Sequence, residues 1–121
     1  MSDEDLARRY YAAWNARDVD AILALYHDEI EFSSPFVTAL GFAADGVIVG
    51  KAMFRAYVEA ALPRVPELSF AQVAPCVGAR GHTLIYRLNT GVLVSESHEL
   101  DGVGLIVRAD VAYETTELPR R

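Results

Sequence analysis

The side chains of this 121-residue chain best suited to chemistry stand two apart near its end, Glu96 and His98 in the run VLVSESHEL. On a strand, residues two apart share a face, so a carboxyl group and an imidazole stand side by side with Val92, Val94 and Leu100. If that face lines an apolar cavity, burial and mutual hydrogen bonding shift both titrations and give an acid and base pair. If it looks outward, the two side chains make a solvated surface contact. The alternate set Leu93, Ser95, Ser97 and Glu99 is no more apolar, so periodicity leaves both readings open.

Tyr10 is interior on either reading, because it lies on the apolar stripe Leu6, Tyr10, Ala13 and Trp14 of a first helix. A buried phenol needs a partner, and Glu96 is the candidate; a core tyrosine bonded to backbone or water is the alternative. Trp14, Tyr57, Tyr86 and Tyr113 read as core or pocket wall. Ser33 and Ser34 could orient a ligand, but no G-x-S-x-G elbow surrounds them, and serine before Pro35 is ordinary strand-end or turn chemistry. His27, Asp28, Glu29 and Glu31 lack the spacing of zinc motifs and the loop of a calcium site, so a solvated cluster and no metal are expected. Arg87, Arg108 and Asp110 are expected on an outer face or at a subunit contact. The segment Gly41 to Gly50 has neither a Walker loop nor a dinucleotide fingerprint, and no organic cofactor is expected.

The elements that must position these residues follow from pattern. Ser2 or Asp3 caps the first helix, Asn15 to Asp18 interrupts it, and Asp18 caps a shorter one with the stripe Val19, Ile22, Leu23 and Tyr26. His27 to Glu29 reads as a polar connector, and Ile30 to Ser34 as a short strand ended by Pro35. Phe36 to Val49 is apolar, glycine-containing and without a period, which predicts a flap or lid. A third helix follows Gly50, with Met53, Phe54, Tyr57, Val58, Ala61 and Leu62 as its apolar face. Four strands are then predicted, Leu68 to Val77, His82 to Asn89, Val92 to Leu100 and Val103 to Glu114, joined by short turns that include Thr90-Gly91 and Asp101-Gly102. In the last strand the apolar face is Leu105, Val107, Ala109, Val111 and Tyr113. The sum is an α+β domain with helices on one side of a mainly antiparallel sheet, ordered over about residues 3–114, with a tail, Thr115 to Arg121, that has no reason to be ordered.

Composition bounds the function. Seventeen acidic against eleven basic residues give a formal charge of -6, which repels a phosphate backbone, so no nucleic-acid partner is expected. No apolar run reaches membrane length and the N-terminus lacks a signal-peptide core, so a cytoplasmic protein without a membrane partner is expected. The single cysteine, Cys76, fits a reducing compartment and is expected to be buried or half-buried. Several strands are apolar on both faces, which predicts a homodimer through the sheet face.

The blocks RYYAAWNARDVDAILALYHDE, EFSSP, GKAMFRAYVEAAL and LDGVGLIVRADV, in that order, resemble the nuclear-transport-factor-2-like superfamily, with its SnoaL-like polyketide cyclases and ketosteroid isomerases. The resemblance spans roughly Leu6 to Glu114 and implies a single cone-shaped domain that closes a pocket between helices and a curved sheet. It puts Tyr10 at the oxyanion tyrosine of the isomerases, Glu96 near their neutral acid, Tyr113 at a pocket-lining aromatic, and Ser34 where their base carboxylate stands. A serine cannot accept a proton at neutral pH without an activating partner. The expected function is therefore binding of a small apolar ligand, with Tyr10 and Glu96 as anchors, His98 as proton shuttle, and Trp14, Ser34, Phe36, Tyr57 and Tyr113 around the ligand. Cofactor-free proton transfer next to a carbonyl (isomerisation, cyclisation or dehydration) and non-catalytic binding or dimerisation are both open, since the fold hosts all of these.

Overall fold

A computed structural model describes residues 2–114. Helix α1, Asp3–Asn15, begins in a capping box: the Ser2 hydroxyl accepts from the Asp5 amide while Asp5 accepts from the Ser2 amide. Asp18 caps the short α2, Val19–Leu23, through the Ala21 amide. Strand β1, Tyr26–Ser33, leads to α3, Pro35–Ala39, then to β2, Val47–Val49, and to α4, Lys51–Ala61, extended by a 3₁₀ turn at Leu62–Arg64. The meander β3, Phe70–Val77, β4, Gly81–Leu88, β5, Leu93–Leu100, and β6, Ile106–Tyr113, completes the chain. The six strands form one sheet in the order β2-β1-β6-β5-β4-β3, antiparallel throughout except where β1 runs parallel to β6.

Helices α1 and α4 cover the inner face of this curved sheet, as expected for the α+β class. Under α4, Phe54 meets Tyr26 at a ring-centroid distance of 4.5 Å and Phe32 at 4.8 Å, all three buried. The far end of α1 is tied to the start of β3 by Asn15, which exchanges two hydrogen bonds with the Phe70 backbone. Arg17, in the left-handed region at φ 57°, reaches the carbonyls of Leu62 and Val65.

Several expectations are corrected. Residues 36–49 are not a structureless lid. The Ser34 hydroxyl accepts from the Phe36 amide and Pro35 sits in the first turn, so a short helix forms, burying Val37; the chain then turns at Gly46 and pairs with β1, burying Ile48. His27 to Glu29 belong to β1, whose pairing with β6 shifts register between Tyr26 and Glu31. Tyr26 is accordingly a strand residue, not part of the α2 stripe. A register shift in β6 next to Leu100 puts Ile106 in the core, where alternation had put Leu105 and Val107. Met53 is exposed on α4, and Cys76 is exposed on the edge strand β3. Residues 115–121 lie outside the described residues.

Gly81, where β4 starts, lies so close to β5 that a Cβ there would stand 2.0 Å from the His98 carbonyl oxygen. That neighbour is backbone and cannot swing aside. Gly81→Ala should cost about 1–3 kcal/mol of stability, read as a lowered urea midpoint. Gly102→Ala, where a Cβ meets nothing within 4 Å, is the control and should leave the midpoint in place. Equal midpoints for both variants would contradict this packing.

Candidate functional site

Inward-facing residues of β4, β5 and β6 follow from the register. Leu84 pairs with Glu96, His82 with His98, and Glu96 with Val111, so Glu96 and His98 share the concave face with Tyr86, Ala109 and Tyr113. The two readings left open by periodicity are thereby separated: Glu96 is 2 % and His98 4 % exposed, beneath the helices.

Between the sheet and the helices lies a cavity of about 500 Å³. One wall is aromatic: Trp14 stacks on Phe70 at 5.7 Å, Phe70 stacks on Tyr86 at 4.6 Å, and Tyr10 lies 6.3 Å from Tyr86. Phe36 packs edge-on to Tyr113 at 5.0 Å on the other side. Tyr10, Trp14, Phe36, Tyr57, Glu96 and Tyr113 all line the cavity. His98 stands one layer behind Glu96. Ser34 is buried but is not among the lining residues; its hydroxyl is committed to the cap of α3 and lies close enough to Tyr57 and Tyr113 to counter part of their burial.

Glu96 is the only carboxylate among the lining residues. Its Oε1 accepts from the Tyr10 hydroxyl at 2.6 Å and the Tyr86 hydroxyl at 2.7 Å, and its Oε2 lies 2.7 Å from His98 Nε2. The link does not stop there. His98 Nδ1 is 3.0 Å from His82 Nε2, and His82 Nδ1 is 3.2 Å from Asp3 Oδ1 in the first turn of α1. These groups are strung in line, and among the described residues no three histidine, cysteine or carboxylate side chains converge as metal ligands would.

Burial by itself would raise the Glu96 carboxyl, but the hydrogen bond and charge of His98 and the hydroxyls of Tyr10 and Tyr86 outweigh it and hold the group below its ordinary value. The carboxylate is therefore ionised. Burial, followed by the Glu96 charge, drives Tyr10 and Tyr86 well above the ordinary phenol value, so both remain donors. Burial also pushes Tyr57 up to about 12. His82 is held below the ordinary imidazole value, first by burial and then by repulsion from His98, with Asp3 opposing.

From sequence Tyr86 reads only as core or pocket wall, Asp3 only as a helix cap, and His82 only as a strand end. His82 was nonetheless within reach, since residues equidistant from Thr90 pair across the hairpin and His82 and His98 are such a pair. The outward placement of Asp110 agrees with its bonds to the Ser33 hydroxyl and to Arg108.

The SnoaL-like domain model matches residues 7–110. A SnoaL-like protein of unknown function from Burkholderia thailandensis is 32% identical, with a TM-score of 0.87 over 93% of this chain and 94% of that one. An NTF2-like protein of unknown function from Cytophaga hutchinsonii is 17% identical with a TM-score of 0.72, covering 94% and 91%. TerC, solved with polyporic acid, is 16% identical with a TM-score of 0.74, covering 93% and 91%. The last two report the shared fold alone. No protein of curated function matches the sequence. No helix of the described residues is long and apolar enough to cross a membrane.

The site makes the fold sensitive to acid, with a definite sign. Glu96 sits below its reference of 4.5 when folded, so its contribution is complete above that pH and is lost as pH falls through the folded value. His82 sits below its reference of 6.5, so the unfolded chain binds the proton first and stability declines as pH falls from there. The urea midpoint should therefore begin to drop below about pH 7.5 as the His82 contribution is lost and drop further below about pH 4.5, and Glu96→Gln should remove the part of the decline below about pH 4.5. A midpoint that rises on acidification would contradict the assigned charge states.

Proposed function

The chain belongs to the SnoaL-like family, and from that premise we propose that its cavity binds a small, largely apolar ring molecule by one polar anchor, Glu96, and moves a proton at that anchor. What carries the reading is the contrast between the walls and the single carboxylate. An apolar cavity with few convergent polar groups is the usual form of a small-molecule site. TerC, which shares the fold, was solved with polyporic acid, so this fold accommodates a small molecule in that protein.

The division of labour follows from hydrogen-bond capacity. Oε1 has both acceptor positions filled by Tyr10 and Tyr86, whereas Oε2, bonded to His98, keeps one for the ligand. A hydroxyl, or an acidic C–H next to a carbonyl, placed there would give its proton to the carboxylate. The resulting enolate oxygen would draw on the tyrosine hydroxyls as their hold on the neutralised Glu96 weakens. This chemistry uses only the chain's own groups and serves isomerisation, cyclisation or dehydration. Ser34, engaged in its cap, takes no part as a base.

Non-catalytic binding is the second reading, favoured by the same three donors, since they make Glu96 a weaker base. For the outer sheet face, where Ile85 and Leu93 flank a shallow depression, we propose a second copy of the chain as the occupant, consistent with the apolar residues there. Sedimentation at micromolar concentration should give a dimer, and a monomer contradicts this.

Trp14 is the only tryptophan and lines the cavity, so its fluorescence reports occupancy. Titration with 2-naphthol should quench it, and Glu96→Gln should weaken that binding about tenfold, with a smaller loss in Tyr10→Phe. Full affinity in both variants would remove these residues from the site. Exchange of the hydrogens next to the carbonyl of 2-tetralone in heavy water, followed by NMR, should be accelerated by the wild type and not by Glu96→Gln. Binding of 2-naphthol without any accelerated exchange would select the non-catalytic reading.

A further inference from the structure

Behind Glu96, the two imidazoles and Asp3 lead away from the cavity to the N-terminal turn of α1. His82 and His98 are buried, whereas the Asp3 side chain is 36% exposed, so the line joins the interior to solvent on the side away from the ligand. We propose that Asp3, His82 and His98 form a proton relay that loads and unloads Glu96 from the back of the cavity while a ligand fills the front. The inference rests on the reading of Glu96 as the group that exchanges a proton with the ligand.

The count of hydrogens supports it. Three links have to be filled: Glu96 to His98, His98 to His82, and His82 to Asp3. Two neutral imidazoles carry one N–H each, and ionised carboxylates at the ends supply none. Two hydrogens cannot fill three links. One excess proton on the pair fills them all, and it can sit on either ring by crossing the 3.0 Å bond between them without movement of heavy atoms.

Delivery then balances as follows. His82 begins as the imidazolium, and His98 is neutral with its hydrogen on Nε2. The Nε2 hydrogen of His98 passes to Glu96 Oε2 while the Nε2 hydrogen of His82 passes to His98 Nδ1. Glu96 ends neutral, both rings end neutral, and one positive and one negative charge have disappeared together. Reversal returns a proton taken from a ligand to His82, from which Nδ1 releases it past Asp3 to water. Holding the His82 ring below the ordinary imidazole value favours release over storage.

The surroundings leave few competitors. From α1, Asp3 and Tyr10 face the line; from β4, His82 and Tyr86; from β5, Glu96 and His98; and from β6 only Ala109 stands opposite His98. The tyrosines bond to Oε1, away from the relay at Oε2.

The test is ring-nitrogen NMR on the whole chain labelled with ¹⁵N-histidine, comparing wild type, Asp3→Asn and His82→Gln. The His82 and His98 signals should change together over one transition, and Asp3→Asn should move that transition to lower pH. His82→Gln fills the same space and can still bond to His98, yet it cannot pass a proton, so exchange of the His98 Nε2 hydrogen with water should slow at least about tenfold. Independent transitions, or unchanged exchange in His82→Gln, would make the pair a static structural contact and overturn the relay. His82→Gln should still bind 2-naphthol, so failure of the relay and failure of the binding reading are separate results. Asp3→Asn, on the partly exposed side, keeps the test decisive if His82→Gln does not fold.

Discussion

One ionised carboxylate under an apolar roof is the constraint around which this molecule is arranged. Removing such a charge from water costs several kcal/mol unless donors replace the lost hydration. For Glu96 the donors come from three elements: Tyr10 from α1, Tyr86 from β4 and His98 from β5. Each must be held in place, and this explains why features far apart in sequence act together. The register of the β4-β5 hairpin sets His82 against His98, Gly81 lets the strands approach at that point, and the capping box fixes the start of the helix that carries both Asp3 and Tyr10.

The same arrangement keeps the cone from filling. Tyr10 and Tyr86 turn their hydroxyls toward Glu96 and present their rings to the cavity, where Trp14 and Phe70 continue the aromatic surface. Arg17 and Asn15 tie the end of α1 to the 3₁₀ turn and to β3, which fixes the rim. The site differs from the isomerase pattern in two respects. Ser34 replaces the expected base and serves as a helix cap, and the tyrosine and acid that would face an enolate are bonded to each other, with the carboxyl as acceptor. Its place on the cavity wall and its charge state then single out Glu96 as the group that would accept a proton.

Much of this was legible in the sequence because it rests on local rules. The apolar stripes gave α1 and α4, the turn residues gave the meander, and Tyr10 with Glu96 could be paired as phenol and acceptor. What was not legible depends on irregularities and on tertiary placement. The register shift in β6 puts Ile106 in the core against simple alternation, and Tyr26 opens a strand where its spacing had placed it on a helix stripe. The helix after Ser34 is five residues long, too short for a period to appear. Asp3 looked like a capping residue, and only the packing of α1 against β3 and β4 brings it to His82. The inward turn of Glu96 could not be read from its own strand, since both faces of Val92 to Leu100 mix apolar and polar residues; pairing with Leu84 and Val111 supplies the missing direction.

The central claim is that Glu96 is buried, ionised and held by three donors. It is tested most directly by the ¹³C shift of the Glu96 side-chain carboxyl as a function of pH, assigned by its loss in Glu96→Gln. The account predicts a carboxylate signal that persists below the ordinary glutamate value of 4.5. A protonated carboxyl at neutral pH would contradict it, leaving burial dominant over the hydrogen bonds and making Glu96 a donor to the cavity.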